Sequence, residues 1–304
     1  MAYKDLRILV FGAGVVGSAY AAILSEAGHD VTVFARGDRY NQLKENGLFY
    51  VYESGFNQQL DNADIKVINE LEDNDIYDFI FLIVRFDQID QALEDIKNNK
   101  SLNIVTMVNT IKGYQSWQKV LGDDHIIPAF SGYGGVIDSN GVLHYRLAPS
   151  FLQPTTFGEI SGKKTRRLKI LSDIFFDMRI PFAVCNNMDA WQKTYAAMNI
   201  AMANAIYLDG GTAMTASKNK VVMDSLVTEL KSNFKALKAI GVPILPKKYD
   251  IIMSAPVPIV KLIMKDLFAD PLAEIFITDH VLNARSEMEA LRHEFFRQTK
   301  NVGD

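Results

Sequence analysis

Between residues 7 and 28 the chain runs through a short apolar segment, Arg7 to Phe11, then Gly12-Ala13-Gly14-Val15-Val16-Gly17, then an alanine-dense stretch from Val15 to Ala27 closed by Gly28. Three glycines at this spacing suit a strand-to-helix turn. The first permits the tight turn, the second lets a ligand approach the backbone, and the third lets the helix pack closely on the strand. The first amides of a helix also offer hydrogen-bond donors and a partial positive charge with no formal charge to desolvate. The segment therefore predicts a site for the diphosphate of a dinucleotide, lined by Gly12, Ala13, Gly14, Val15, Val16 and Gly17. A glycine turn that only packs a helix is the alternative; the flanking strand and helix, and a second strand beyond them, favour the site.

Through the first half of the chain, runs rich in Val, Ile and Phe alternate with helical patterns, the signature of a parallel sheet. Strands are predicted at Arg7 to Phe11, Val31 to Ala35, Ile65 to Val67, Phe79 to Val84 and Asn103 to Val108. From Ile126, Gly132, Gly134, Gly135 and the turn Asp138-Ser139-Asn140-Gly141 separate short strands such as Val142 to Arg146, which predicts antiparallel strands extending or flanking that sheet. A helix from about Lys164 to Asp177 and a strand near Phe182 to Cys185 complete this half. After Asn187 strand signals largely stop. Asp189 is placed to cap a long helix reaching Leu208, and helices are predicted at Lys218 to Ile240 and Pro271 to Gln298. Pro243, Pro246, Pro256 and Pro258 mark a loop-rich connection. The expected fold is α/β, with a Rossmann-like dinucleotide-binding domain over residues 1–185 and an all-helical domain over 186–304.

Cofactor choice is read at the end of the second strand, where NAD-binding chains usually carry Asp or Glu for the ribose hydroxyls. Here the chain reads Ala35-Arg36-Gly37-Asp38-Arg39. A cation at Arg36 suits a 2′-phosphate, so NADP(H) is the expected cofactor; Asp38 lies past the strand and reads as a turn residue.

A net charge of -4 gives no basic field for a nucleic acid, and the run Lys163-Lys164-Thr165-Arg166-Arg167 reads as the solvated start of a surface helix. The single cysteine, Cys185, excludes an internal disulfide and fits a reducing compartment, so a cytoplasmic location is expected. The most apolar late stretch, Ala196 to Leu208, is interrupted by Asn199 and Asn204 and is too short to span a bilayer, so no membrane partner is expected. No metal site is expected, because the histidines lack ligand spacing.

Several segments together resemble the ketopantoate reductase family of NADP-dependent oxidoreductases. They are Gly12 to Gly17, Val31-Thr32-Val33-Phe34-Ala35-Arg36-Gly37, Val84-Arg85-Phe86-Asp87-Gln88, the strand end at Asn109, and Trp191-Gln192-Lys193. The resemblance covers most of the chain and implies an NADPH-dependent reductase of a 2-oxo acid, ketopantoate to pantoate in the first instance. It implies that Lys193, in a Trp-x-Lys motif, is the catalytic proton donor and that Arg85 contacts the cofactor. Asn109 ends a strand on the side where open parallel sheets bind ligands, and its amide is expected to hold the nicotinamide, the substrate or both.

Three departures bear on the substrate. Thr110 follows Asn109 where the family has glycine, and Ala197 stands where it usually has an asparagine four residues after the lysine. The family's late Ser-rich segment and Thr-Glu pair are not found between Ser254 and Glu289. In their place a helix through Asp279 to Met288 would present His280, Ala284 and Glu287 on one face, either a candidate lining for the substrate pocket or a solvated face. Asn204 shares the Lys193 face about three turns on, within reach of a larger substrate only. Two alternatives follow: a dehydrogenase of the same fold acting on a different carbonyl compound, and a non-catalytic NADP(H)-binding sensor. The apolar stretches Leu226 to Ile240 and Leu272 to Leu282 are a candidate homodimer surface.

Overall fold

The computed structural model describes residues 3, 5–53, 59–150 and 153–299. Contacts divide the chain into two compact units, Met1–Val108 with Tyr114–Met188, and Asn109–Gly113 with Asp189–Asp304.

In the first unit, β1 (Arg7–Phe11), β2 (Asp30–Phe34), β3 (Leu48–Tyr52), β4 (Leu60–Ala63), β5 (Lys66–Ile68) and β6 (Phe79–Leu82) are followed by β7 (Ile104–Thr106), β8 (Ile126–Phe130), β9 (Tyr133–Ile137), β10 (Leu143–Leu147), β11 (Thr155–Phe157) and β12 (Phe182–Val184). The main sheet runs β12-β11-β8-β7-β6-β1-β2-β5. From β5 to β8 every pairing is parallel, and β11 then pairs antiparallel with β8. Residues Ile8, Leu9, Val10, Ile80, Phe81 and Leu82 are fully buried, which explains why these strands read as continuous apolar runs. The glycine-flanked strands β9 and β10 belong to a separate sheet, β4-β3-β10-β9.

Helix α1 (Val15–Glu26) packs against both sheets, and this accounts for its alanines. Ala19, Tyr20, Ala21, Ala22 and Leu24 are all fully buried, so the helix has no solvent face over these positions. Tyr20 meets Tyr133 edge-on at 5.0 Å and donates to or accepts from Thr155 Oγ1 at 2.8 Å. Gly28, with φ +82°, ends the turn after α1, as the sequence predicts.

Asp38, read from the sequence as a turn residue, lies instead in the first turn of a helix, α2 (Gly37–Asn46), where an acid favours the helix dipole. Strands β3 and β4 are further additions to the expected set. Leu60-Asp61-Asn62-Ala63 has little strand propensity and holds its place by pairing with β3. Helices α3 (Ile89–Ile96), α4 (Gln115–Leu121) and α5 (Arg166–Asp177) complete the unit.

The second unit is helical. It is built on α6 (Met188–Asp209), followed by α7 (Ala213–Lys218), α8 (Lys220–Ala239), α9 (Lys247–Ser254), α10 (Val257–Ala269), α11 (Asp279–Asn283) and α12 (Arg285–Thr299). Two expectations are corrected here. The proline-marked connection contains α9 and α10, because Pro256 and Pro258 sit at a helix start, where a missing amide donor costs nothing. The helix expected over Pro271 to Gln298 is broken. A π-helical stretch, Glu274–Thr278, leads into α11, and Ala284 leaves helical geometry (φ -121°, ψ 38°) before α12 begins. No described helix is long and apolar enough to cross a membrane.

Candidate functional site

In the first unit the glycine turn is built as its sequence requires. Gly12 has φ +116°, and a Cβ there would collide with the Ile83 carbonyl oxygen of the chain leaving β6. A Cβ at Gly17 would collide with the Gly12 carbonyl oxygen. Gly14 differs from both: nothing lies within 4 Å of where its Cβ would be. Gly14 caps α1 without any side-chain hydrogen bond, and no acid occupies the first turn. The start of α1 thus has no side-chain cap, and the space beside Gly14 is open, which fits an anionic diphosphate.

Arg36 stands at the N-cap of α2, two residues beyond β2. Its guanidinium lies 5.2 Å from the Phe34 ring centroid and 5.9 Å from that of Phe11, and these rings stack at 4.1 Å. It forms an ion pair with Asp95 of α3 yet keeps about half of its side chain exposed, so donors remain for a further anion. Arg85 caps a short turn after β6, two residues past the Ile83 carbonyl that abuts Gly12, and pairs with Asp87 at 3.3 Å.

In the second unit the Trp-x-Lys motif separates anchor from head group. Residues two apart on a helix face nearly opposite ways. Trp191 is buried and stacks on Tyr195 at 3.8 Å, whereas Lys193 turns to the other face and its Nζ donates to Asp189 Oδ2 at 2.6 Å. Asp189 lies inside the first turn of α6 instead of at its cap, and its side chain is committed to the lysine. An acid four residues before a helical lysine is the sequence signal for this pair.

Loop 109–113 groups with this unit. Asn109 Nδ2 donates to Glu287 Oε1 at 3.0 Å, across 178 residues of sequence, and Glu287 is only 3% exposed. At the other end of the loop Gly113 (φ +74°) has room for a Cβ only at 3.3 Å from Asp189 Oδ1. The loop thus touches the partner of Lys193 at one end and Glu287 at the other. Lys112 faces Glu294 at 3.9 Å. Burial alone would raise the Glu294 carboxyl, but hydrogen bonds from Arg297 and Gln298 and the nearby cations outweigh it and hold Glu294 below the usual glutamate range.

Of the candidate pocket residues, Glu287 is brought to Asn109 and the others are not. His280 is exposed on α11 and Ala284 sits in the break, so the single face assumed for His280, Ala284 and Glu287 does not exist. Asn204 donates to Glu229 of α8 at 2.5 Å, about three turns of α6 from Lys193. Ala197 is fully buried, and its carbonyl accepts from Asn233 Nδ2 at 3.0 Å. Glu287 lies in the first turn of α12, one residue after Ser286.

These features define an α/β protein whose parallel sheet opens on a Rossmann-type glycine turn, with a helical unit carrying the lysine. A family model described as Ketopantoate reductase PanE/ApbA matches residues 8–162, and the chain belongs to that family of oxidoreductases. An uncharacterized oxidoreductase, YkpB, of Bacillus subtilis (strain 168) is 25% identical over 195 residues, covering 62% of this chain and 61% of the relative. The 2-dehydropantoate 2-reductase of Aquifex aeolicus (strain VF5) is 26% identical over 180 residues, covering 58% and 54%. The chain thus matches less than two thirds of the length of either relative. Among solved structures, D-mandelate dehydrogenase in complex with NADH superposes with a TM-score of 0.77 at 17% identity, over 98% of this chain and 93% of that one, a likeness of fold.

Proposed function

We propose that this chain is an NADP(H)-dependent reductase of a 2-oxo acid, with ketopantoate the first substrate to test. The observation that carries the reading is the grouping of Lys193, Asp189, Asn109 and Glu287 around loop 109–113, in a chain that also has an uncapped glycine turn. Gly12 to Gly17 would hold the diphosphate, with Arg36 at the 2′-phosphate and Arg85 beside the turn. A reduced nicotinamide, when bound, would supply the hydride for the carbonyl carbon. The Lys193 ammonium hydrogen-bonds the carbonyl oxygen, stabilises the charge that develops there, and gives it a proton, leaving a 2-hydroxy acid and a neutral amine that solvent reprotonates. Asp189 fixes the ammonium, and Glu287 fixes the Asn109 amide that orients the substrate.

A second substrate reading rests on Ala197. A fully buried methyl stands where family members that act on ketopantoate usually carry an asparagine, which supports a different carbonyl substrate. One solved fold relative is a D-mandelate dehydrogenase, which makes aromatic 2-oxo acids part of the test. Purified protein should oxidise NADPH with at least one member of a panel containing ketopantoate, pyruvate and benzoylformate. No turnover with the whole panel, combined with tight NADPH binding, would replace the reductase by a sensor.

Two variants refine the reading. Arg36→Ala should weaken NADPH about tenfold or more while leaving NADH within about twofold, because only the 2′-phosphate is lost as a partner. Equal losses for both cofactors in fluorescence titrations would remove Arg36 from cofactor selection. Asp189→Ala should lower kcat about tenfold without weakening NADPH, the cost of releasing one charge-assisted hydrogen bond on the proton donor. Unchanged kcat would show that Lys193 holds its position without it.

A further inference from the structure

Arg39 of α2 reaches back over the glycine turn, and its contacts serve none of the roles assigned so far. Its Nε donates to the Ala13 carbonyl at 3.2 Å, and its Nη2 donates to Ser18 Oγ at 3.2 Å. Ser18 Oγ donates in turn to the same Ala13 carbonyl at 3.2 Å. Nη1 donates to Gln42 Oε1 at 2.5 Å and to the Gly141 carbonyl at 3.2 Å in the β9–β10 turn. That turn is seated on α2: Gln42 Nε2 donates to the Asn140 carbonyl at 3.3 Å, and any side chain at Gly141 would collide with Gln42.

Two physical consequences follow. The Ala13–Gly14 peptide is trans, so its N–H points opposite to its C=O. With the carbonyl held by Arg39 and Ser18, the Gly14 amide faces away from them. The second consequence is electrostatic. Every partner of Arg39 is neutral, and no described carboxylate forms an ion pair with it. Burial pushes its guanidinium pKa down, the mark of a charge that lacks a counter-ion.

We propose that Arg39 is a positioning residue of the dinucleotide turn: it locks the Ala13–Gly14 peptide with the amide toward the diphosphate and lends that anion an uncompensated positive charge. The proposal rests on the cofactor reading under Proposed function. It assigns Arg39 a role common to NADPH and NADH, in contrast to Arg36, whose role depends on the 2′-phosphate.

Titration of NADPH and NADH fluorescence with wild-type protein and with Arg39→Met, Arg39→Lys and Ser18→Ala separates the possibilities. Arg39→Met is expected to weaken both cofactors to the same degree, about tenfold, and to raise the cofactor KM while kcat stays within about twofold. Arg39→Lys should recover part of the loss, because charge is retained while the fork is not. If Arg39→Met does not fold, the other two variants decide, each expected to weaken both cofactors about threefold. Unchanged affinities, or a loss confined to NADPH, would overturn the assignment. Wild-type protein that binds neither cofactor would overturn the cofactor reading itself, a result distinct from binding that is indifferent to residue 39.

Discussion

Lys193→Ala is expected to lower kcat for 2-oxo acid reduction by at least about a hundredfold while leaving the NADPH dissociation constant within about twofold. The split follows from where the lysine sits. It belongs to the helical unit and its side chain is tied to Asp189, whereas the residues assigned to the diphosphate belong to the sheet unit. Trp191 and Tyr195, not Lys193, anchor that part of α6 in the core, so truncating the lysine costs the fold little. Single-turnover kinetics with NADPH bound in advance measures the chemical step directly. Equal losses in turnover and in cofactor binding would instead mean that the lysine is structural.

The second large effect separates the glycines of the turn by role. Gly17→Ala should destabilise the protein by about 3 kcal/mol, since the added methyl meets the Gly12 carbonyl and α1, packed against two sheets, has nowhere to move. Gly14→Ala should leave the melting temperature within a few degrees, because its φ of -72° suits any residue and its Cβ meets no protein atom. The same methyl would occupy the space given to the diphosphate, so NADPH affinity should fall by about two orders of magnitude. Thermal melts with and without NADPH read both quantities from one sample set, since a ligand raises the midpoint only when it binds the folded state. A Gly14→Ala protein that is still stabilised by NADPH as strongly as wild type would remove the turn from the cofactor site.

Much of this is legible in the amino-acid sequence, and for local reasons. A positive φ at Gly12, close packing at Gly17 and a helix opened by uncapped amides are all demands made by neighbouring residues on one another. The buried strands announce themselves through composition, and Trp191 and Lys193 face opposite sides of α6 by helical period alone. The late helix is misleading for the complementary reason. Periodicity over Pro271 to Gln298 is continuous, but the π-helical stretch and the break at Ala284 are not written in that period. His280 and Glu287 therefore part company.

What the sequence determined by itself is the glycine turn between β1 and α1, together with the helix that carries the lysine, because each is fixed within a few residues by backbone sterics and hydrophobic spacing. Only the tertiary structure decided that Glu287 meets Asn109 across 178 residues, that Asp189 lies against Gly113 as well as Lys193, and that Arg39 holds the Ala13 carbonyl. Those pairings depend on how separate elements pack, and a hydrogen bond between distant residues leaves no periodic trace in either partner's neighbourhood.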